Sequence, residues 1–294
     1  MARWHIGVIG GSGLAEGIGL ESAQEIDIAS PFGQPSGPVT TGVLNGVRFS
    51  FLLRHGKGHT IPPDKINYRA NIDALKRCGV TDVVSLSAVG SLREDYAPGH
   101  FVAVDQMIDR TTGRVSSFFD TGLVAHVSLA DPVCPRLSTM LALAARQADA
   151  SRVSTVHPHG CVITINGPQF STRAESRMYR AWGADVIGMT AFPEVRLARE
   201  AELPYATLAM VTDYDAWRED AAGVEAAEIF ATMKANAALA RAAVRRLAQL
   251  LPPVREASPI DSTLDTAMAT APSSRDAALI ARLDAVAGRI LRPR

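Results

Sequence analysis

The chain has 294 residues, of which 47% are hydrophobic, and its 30 basic and 30 acidic side chains give a formal net charge of zero. This apolar content suffices for one large core, and the charge balance argues against nucleic acid or an anionic membrane as a partner. The three cysteines have no CxxC spacing, which argues against a disulfide framework or a zinc site and favours a cytoplasmic protein. No signal peptide and no apolar run of membrane-spanning length is apparent.

The first half of the chain alternates strand-like and helix-like segments. Residues 4–9 are typical of a buried strand that is ended by Gly10-Gly11-Ser12-Gly13. Residues 37–44 and 47–53 predict a hairpin, because Asn45-Gly46 between them tolerates positive φ. The pattern then predicts, in chain order, a helix over 64–78, a buried strand over 82–86 followed by a polar turn at Gly90-Ser91, a strand over 101–104 and a helix over 135–148.

The alternation continues with strands over 161–165, 186–189 and 205–211 and helices over 173–182, 194–201 and 224–251. Repeated strand-then-helix order indicates a mostly parallel sheet covered on both faces, with ligands at the carboxyl ends of the strands. Residues 252–275 are typical of a linker or an ordered meander. Residues 275–292 predict an amphipathic helix whose apolar face is formed by Leu279, Leu283, Val286 and Ile290.

Three segments that follow predicted strands are candidate anion sites. Gly10-Gly11-Ser12-Gly13 lets the backbone approach a ligand with its N–H groups, although an ordinary tight turn is the favoured explanation of this motif taken alone. Arg54-His55-Gly56 supplies a planar guanidinium that can donate to an anion. The alternative interpretation is a solvated basic loop. Ser87-Ala88 offers a hydroxyl and backbone N–H groups to a ligand at a strand end. The alternative interpretation is a plain strand-to-loop turn.

Two further segments carry groups that suit a flat, polar ligand. Gly167-Pro168-Gln169-Phe170-Ser171 presents an aromatic ring that can stack on a base. The alternative interpretation is that Phe170 only fills a hydrophobic gap and that Ser171 or Thr172 caps the following helix. Asp213 and Asp215 follow an apolar strand, and crowded carboxylates in a cleft raise a pKa, which suits a proton donor. An acidic surface turn is the alternative.

Taken in order, the motifs of residues 4–250 resemble the trimeric purine nucleoside phosphorylase family, and most closely its branch that acts on 5′-methylthioadenosine. The resemblance rests on Gly10-Gly11-Ser12-Gly13-Leu14, Arg54-His55-Gly56, Asn67-Tyr68-Arg69-Ala70-Asn71, Gly90-Ser91-Leu92-Arg93-Glu94, Asp105-Gln106, Asp109-Arg110-Thr111, Gly167-Pro168-Gln169-Phe170-Ser171, Met189-Thr190, Pro193-Glu194 and Thr212-Asp213-Tyr214-Asp215. It implies an α/β fold, with a phosphorylase domain over 1–252 built on a central mixed, twisted sheet flanked by helices, and a linker and C-terminal tail helix over 253–294 packed on that domain.

The resemblance also implies roles for single residues. Phosphate would be held by Ser12, Arg54, His55, Ser87, Ala88 and Thr190, with His59 beside them. The nucleoside would be contacted by Phe170, Ser171, Met189, Asp213, Asp215, His126, Val224, Ala226, Ile229 and Phe230. Asp213 would be the catalytic residue, and His126 would reach the site of a neighbouring subunit in a homotrimer or hexamer. No metal or other cofactor is implied, because inorganic phosphate is a co-substrate.

The residue types suit the implied reaction, which converts 5′-methylthioadenosine and phosphate into adenine and 5-methylthioribose 1-phosphate in purine and methionine salvage. A carboxylate accepts from the 6-amino group of adenine but repels the carbonyl of a 6-oxopurine. A broader adenosine or purine nucleoside phosphorylase, a hydrolase of the same fold, and a catalytically silent nucleoside-binding protein remain alternatives. The absence of GxGxxG argues against a dinucleotide-binding protein.

Overall fold

The fold is given by a computed structural model that describes residues 3–11, 18–149, 154–218 and 226–291. The strands are β1 (His5–Gly10), β2 (Glu21–Ile26), β3 (Val39–Leu44), β4 (Val47–Leu53), β5 (Asp82–Ser91), β6 (Phe101–Val104), β7 (Gln106–Asp109), β8 (Val156–His157), β9 (Cys161–Thr164), β10 (Val186–Gly188) and β11 (Tyr205–Asp213). The helices are α1 (Tyr68–Arg77), α2 (Pro135–Ala148), α3 (Arg173–Ala181), α4 (Ala191–Glu200), α5 (Ala226–Leu250), α6 (Ala277–Arg282) and α7 (Gly288–Leu291).

These strands form one mixed sheet with the order β2-β3-β4-β1-β5-β10-β9-β7, from which β11, β6 and β8 branch at β5. Strand β5 is parallel to β1 and β11 and antiparallel to β10. Helices α2 and α5 cover one face of the sheet through side chains such as Leu141 and Val244, while α1 and α4 cover the other through Leu75 and Leu197. The predicted α/β fold with a mixed sheet flanked by helices is confirmed.

Strand β5 is longer than the sequence pattern predicts, and the expected polar turn at Gly90-Ser91 is wrong. Those two residues belong to the strand because they pair with Ile187 and Val186 of β10, and Gly90 also lies opposite Asp213 of β11. The apolar run ends at Leu86 only because the later residues of β5 face the cavity described below.

The hairpin is confirmed: β3 and β4 are antiparallel, and the turn residues Asn45 and Gly46 have φ values of 51° and 75°. Three short strands, β2, β7 and β8, have no counterpart in the sequence prediction. Strand β2 has the sequence ESAQEI and is almost wholly exposed at the edge of the sheet, so no hydrophobic pattern marks it.

The predicted C-terminal tail helix over 275–292 is wrong as a single element, because α6 ends at Arg282 and α7 begins at Gly288. The Leu283 N–H is shared between the carbonyls of Leu279 and Ile280, as is common at a helix end, and Gly288 is a weak helix former. The apolar face is nevertheless buried at Leu279, Leu283 and Val286.

The chain before α6 is anchored to the sheet by a buried arginine. The Arg255 guanidinium donates to the carboxylate of Asp82 at 2.5 Å and to that of Asp261 at 2.7 Å. Asp82 is fully buried at the amino end of β5. Trp4 adds a hydrogen bond from its indole N–H to the Pro252 carbonyl at 2.9 Å. These contacts lie at the end of the sheet opposite the cavity.

Candidate active site

A cavity of about 910 Å³ opens at the carboxyl ends of β4, β5, β10 and β11. Its position follows from the topology, since ligands of open α/β sheets bind outside the carboxyl ends of parallel strands. The structure brings these sequence-predicted residues together in its walls: Arg54, His55, Ser87, Ala88, Phe170, Ser171, Met189, Thr190, Asp213 and Asp215.

Arg54 follows β4 and is buried at one end of the cavity. Its Nε and NH2 groups donate to the two carboxylate oxygens of Glu194 at 2.8 and 3.0 Å, and NH2 also donates to the Ser85 hydroxyl at 2.7 Å. NH1 donates to the Leu86 carbonyl at 3.3 Å. Among the described residues, these contacts use four of the five guanidinium N–H groups, so one NH1 hydrogen can donate to a ligand.

Two hydroxyls lie near this arginine at the ends of neighbouring strands. Ser87 in β5 and Thr190 just after β10 have their hydroxyl oxygens 3.4 Å apart. Thr190 precedes α4, and its side chain makes no capping hydrogen bond. Both hydroxyls therefore remain available to an anion beside Arg54.

His55 and His59 stack at this end of the cavity, with ring centroids 4.1 Å apart. Burial lowers the pKa of His55 to about 4, so the ring is neutral near pH 7. Its Nδ1 lies 2.9 Å from the Ile61 carbonyl, which requires the proton on Nδ1 and leaves Nε2 as an acceptor. A neutral His55 can therefore accept from a phosphate hydroxyl, but it supplies no positive charge.

The acidic end of the cavity is built by an irregularity in β11. The register against β5 shifts between Val211 and Asp213, and the Asn236 amide donates to the Val211 carbonyl at 3.0 Å. Such a bulge re-aims a side chain next to a site. Asp213 is held by the Thr212 hydroxyl at 2.7 Å and by the Asp215 N–H at 2.8 Å.

Both carboxyl groups have raised pKa values because burial disfavours the charged form. For Asp215 the nearby Asp213 adds to this rise, while the Ser176 hydroxyl opposes it by donating to Asp215 Oδ2 at 2.5 Å. Burial of both carboxyls favours holding a proton at this end of the cavity, which suits proton donation to a basic ring nitrogen.

A third wall is formed by the segment before α3. Phe170 is 45% exposed, and the Ser171 hydroxyl is buried without a hydrogen-bond partner among the residues that the structure describes. Gly167 has a φ of 67°, and a Cβ there would lie 2.4 Å from Met189 Sδ. The glycine therefore permits close contact between this segment and the one that carries Met189.

Some predicted site residues lie elsewhere or outside the described residues. His126 is exposed and does not line this cavity, and its backbone N–H donates to the Ala267 carbonyl at 2.8 Å. Ser12 and Val224 lie outside the described residues. For Ala226, Ile229 and Phe230 only the helical backbone is described.

Sequence reasoning missed several residues of the site. Glu194 was recognised only as part of a motif, because nothing in the sequence shows that a residue 140 positions away pairs with Arg54. The described part of α5 lines the cavity further along the helix than expected, through Met233, Lys234, Ala237 and Arg241. The 3.6-residue periodicity of that helix is the only signal that could have grouped them.

Among the described residues, no group of three or more His, Cys, Asp or Glu side chains is arranged to hold a metal ion. None of the helices within the described ranges is both long enough and apolar enough to cross a membrane.

Comparison with known proteins agrees with this geometry. The family model described as the phosphorylase superfamily matches residues 5–249. An S-methyl-5′-thioadenosine phosphorylase from Cereibacter sphaeroides is 54% identical, over 98% of each chain. A crystal structure of methylthioadenosine phosphorylase from an antarctic soil metagenomic library superposes with a TM-score of 0.91, at 43% identity and with full coverage of both chains.

A mutant of an adenosine/methylthioadenosine phosphorylase from Schistosoma mansoni, in complex with adenine, is also similar, with a TM-score of 0.79 and 38% identity over 84% of this chain and 92% of that one. The chain belongs to the phosphorylase superfamily, and the resemblance drawn from its motifs is confirmed.

Proposed function

We propose that this chain cleaves 5′-methylthioadenosine with inorganic phosphate, giving adenine and 5-methylthioribose 1-phosphate for purine and methionine salvage. One observation carries the proposal: a single cavity holds Asp213 and Asp215 at one end and Arg54 with the Ser87 and Thr190 hydroxyls at the other. The carboxylates at one end suit the base of a nucleoside, and the N–H and hydroxyl donors at the other end suit a separate phosphate ion. The sugar would lie between them.

Phosphate is assigned to the end that contains Arg54, Ser87, Ala88 and Thr190, with Ser12 completing the set. The remaining NH1 hydrogen of Arg54 and the two hydroxyls, 3.4 Å apart, are donors to its oxygens. Neutral His55 accepts from a protonated phosphate oxygen. Because Glu194 neutralises Arg54, recognition here depends on directed hydrogen bonds more than on net charge.

The base is assigned to the acidic end, between Asp213, Asp215 and Phe170. Cleavage of the glycosidic bond places negative charge on the purine, and a proton donated to N7 by Asp213 makes adenine a better leaving group. General acid catalysis of this kind contributes typically about 10²–10⁴-fold. Ionised Asp215, held by Ser176, accepts from the 6-amino group, which favours adenine over a 6-oxopurine.

The sugar is assigned to the middle of the cavity, against Met189. Its anomeric carbon becomes cationic as the base departs, much as in glycoside hydrolysis. A phosphate fixed on the opposite face stabilises that cation and then bonds to it. Placement and electrostatics therefore supply most of the rate enhancement, and the reaction needs no metal or organic cofactor.

Adenosine is a second candidate substrate. The similar Schistosoma mansoni protein is described as an adenosine/methylthioadenosine phosphorylase, and the family resemblance assigns a small residue, Ala226, to the 5′ pocket. Met233 of α5 adds an apolar side chain to the cavity. The residues that the resemblance assigns to the 5′ pocket, Val224, Ile229 and Phe230, are also apolar, and apolar residues there would favour a methylthio group over a hydroxyl. Such discrimination is worth only about 1–3 kcal/mol.

The proposed assembly is a homotrimer, with a hexamer as the alternative, in which His126 reaches the 5′ pocket of a neighbouring subunit. We further propose that the protein is cytoplasmic. We also propose that the chain divides into a phosphorylase domain over 1–252 and a linker with a C-terminal helix over 253–294.

The experiment is an assay of adenine release from 5′-methylthioadenosine with and without inorganic phosphate. We expect release only with phosphate, together with one equivalent of sugar phosphate. The Asp213→Ala variant, purified identically, should be inactive, which excludes a contaminating enzyme. Release without phosphate would identify a hydrolase, and ligand binding without release would identify a silent binding protein.

A further inference from the structure

Arg114 lies in the loop after β7 and ties together two walls of the cavity without lining it. Its NH1 group donates to the carbonyls of Met189 at 2.8 Å and Phe192 at 2.6 Å. Its NH2 group donates to the carbonyl of Asn166 at 2.8 Å. One guanidinium therefore binds the backbone of two segments whose neighbouring residues line the cavity.

The two anchored segments follow directly after the paired ends of β9 and β10. The Ile165 N–H donates to the Gly188 carbonyl at 2.9 Å, next to the ends of β9 and β10. Beyond this bond, one segment leads through Asn166 to Phe170, and the other leads through Met189 to Thr190. The carbonyls of Met189 and Asn166, to which Arg114 donates, belong to these two segments. Its hydrogen bonds therefore connect the segments beyond the backbone bond from Ile165 to Gly188.

Arg114 also reaches the phosphate end through a tyrosine. Its NH1 group lies 3.2 Å from the Tyr68 hydroxyl, which donates to the Pro63 carbonyl at 3.0 Å. Pro63 lines the same cavity. Because the two NH1 hydrogens serve the nearer carbonyls of Met189 and Phe192, Tyr68 is a secondary contact, and the direct anchoring by Arg114 is of two segments.

We propose that Arg114 is a positioning residue that fixes the spacing between the base-binding segment and the segment that holds sugar and phosphate. A planar guanidinium has two terminal nitrogens that point to different acceptors, whereas a lysine ammonium is a single point that cannot serve both segments. The inference rests on the proposed function, because it concerns how that site aligns phosphate with the nucleoside.

The test compares Arg114→Met and Arg114→Lys with the wild-type protein. A misplacement of about 1 Å can cost roughly 100-fold in rate, so Arg114→Met should lower kcat/KM for 5′-methylthioadenosine by about that factor, mainly through kcat. Arg114→Lys, which retains the charge and can anchor one segment, should lose roughly 10-fold. The Kd for free adenine, measured by calorimetry, should stay within about threefold of the wild-type value.

Arg199→Met is the matched control, because Arg199 also binds backbone carbonyls, those of Ser128 and Pro132, but away from the cavity. It should lower the melting temperature to a similar extent and leave kcat/KM unchanged. Wild-type-like kcat/KM in Arg114→Met would overturn the inference, as would an equal loss of adenine affinity, which would indicate a general structural role. Failure of the proposed function would appear separately, as an inactive wild-type protein.

Discussion

At the scale of single residues, the backbone assigns different positions to two aspartates that are close in sequence. Asp213 is the last residue of β11, whereas Asp215 has a φ of 47°, a left-handed conformation that Asp tolerates better than most residues. The Asp215 N–H thereby donates to Asp213, and Asp215 in turn accepts from Ser176. Each carboxylate keeps acceptor sites for a ligand.

Replacing Asp213 with Asn tests its assigned role as proton donor to the base, and it also introduces an amide N–H group that can donate to the 6-carbonyl of an oxopurine. We expect kcat/KM for adenine nucleosides to fall by about 10²–10⁴-fold and preference to move toward inosine. Because burial raises the pKa of Asp213 and its protonated form is active, wild-type kcat should fall as pH rises through that pKa. The variant should lack this fall. Asp27→Asn, an exposed change outside this cavity, is the control, and unchanged relative rates for adenosine and inosine would refute the assignment.

Many of the residues that line the cavity could be predicted, because they lie at or soon after the ends of apolar, strand-like runs in the sequence. Their partners could not be predicted. Three polar partners contact the site from helices: Glu194, Ser176 and Asn236. The apolar periodicity of a helix does not predict which of its polar side chains will face the site. Contacts across 25 to 140 residues depend on tertiary packing.

At the scale of elements, the central strand β5 decides the shape of the site. Its first part pairs with β1, its last two residues pair with β10, and β11 pairs with it from Val83 to Gly90. The sequence predicted the buried first part from its apolar run, but not the continuation, because Ser87 and Gly90 face the cavity and carry no hydrophobic signal.

Gly90 marks a close approach between β5 and the acidic end of β11. A Cβ at Gly90 would lie 2.9 Å from Asp213 Oδ1 and 3.2 Å from Asp215 Cβ. Gly90→Ala should displace both carboxylates and lower kcat/KM by roughly 100-fold. Gly37→Ala, where a Cβ meets no described atom within 4 Å, should keep wild-type kinetics. Equal activity of the two variants would show that the position of Asp213 is not critical.

At the scale of the whole molecule, the C-terminal segment and the catalytic cavity occupy opposite ends of the sheet. Beyond residue 252, the apolar side chains of Leu283 and Val286 are buried in the same cluster as Leu75 of α1 and Leu197 of α4. The sequence could not predict the break between α6 and α7, where low helix propensity at Gly288 and tertiary contacts outweigh the periodicity.

The Arg255–Asp82 pair should govern stability without affecting catalysis. Arg255→Met leaves the fully buried Asp82 with only Arg136, at 3.2 Å, as a charged partner, so unfolding free energy should fall by about 3 kcal/mol. Arg93→Met, which breaks ion pairs that are half exposed, should cost less than about 1 kcal/mol. Urea denaturation measures both. Similar losses in the two variants, or a large change in kcat/KM for Arg255→Met, would contradict this separation.

The account depends most on one ligand spanning the two ends of the cavity. A crystal structure of the protein with adenine and phosphate bound together measures this directly. We predict the adenine N7 and 6-amino edge within hydrogen-bond distance of Asp213 and Asp215, about 2.7–3.2 Å, with phosphate on Thr190, Ser87 and the free NH1 hydrogen of Arg54. Adenine bound away from the two aspartates, or phosphate held outside this cavity, would contradict the proposed reaction.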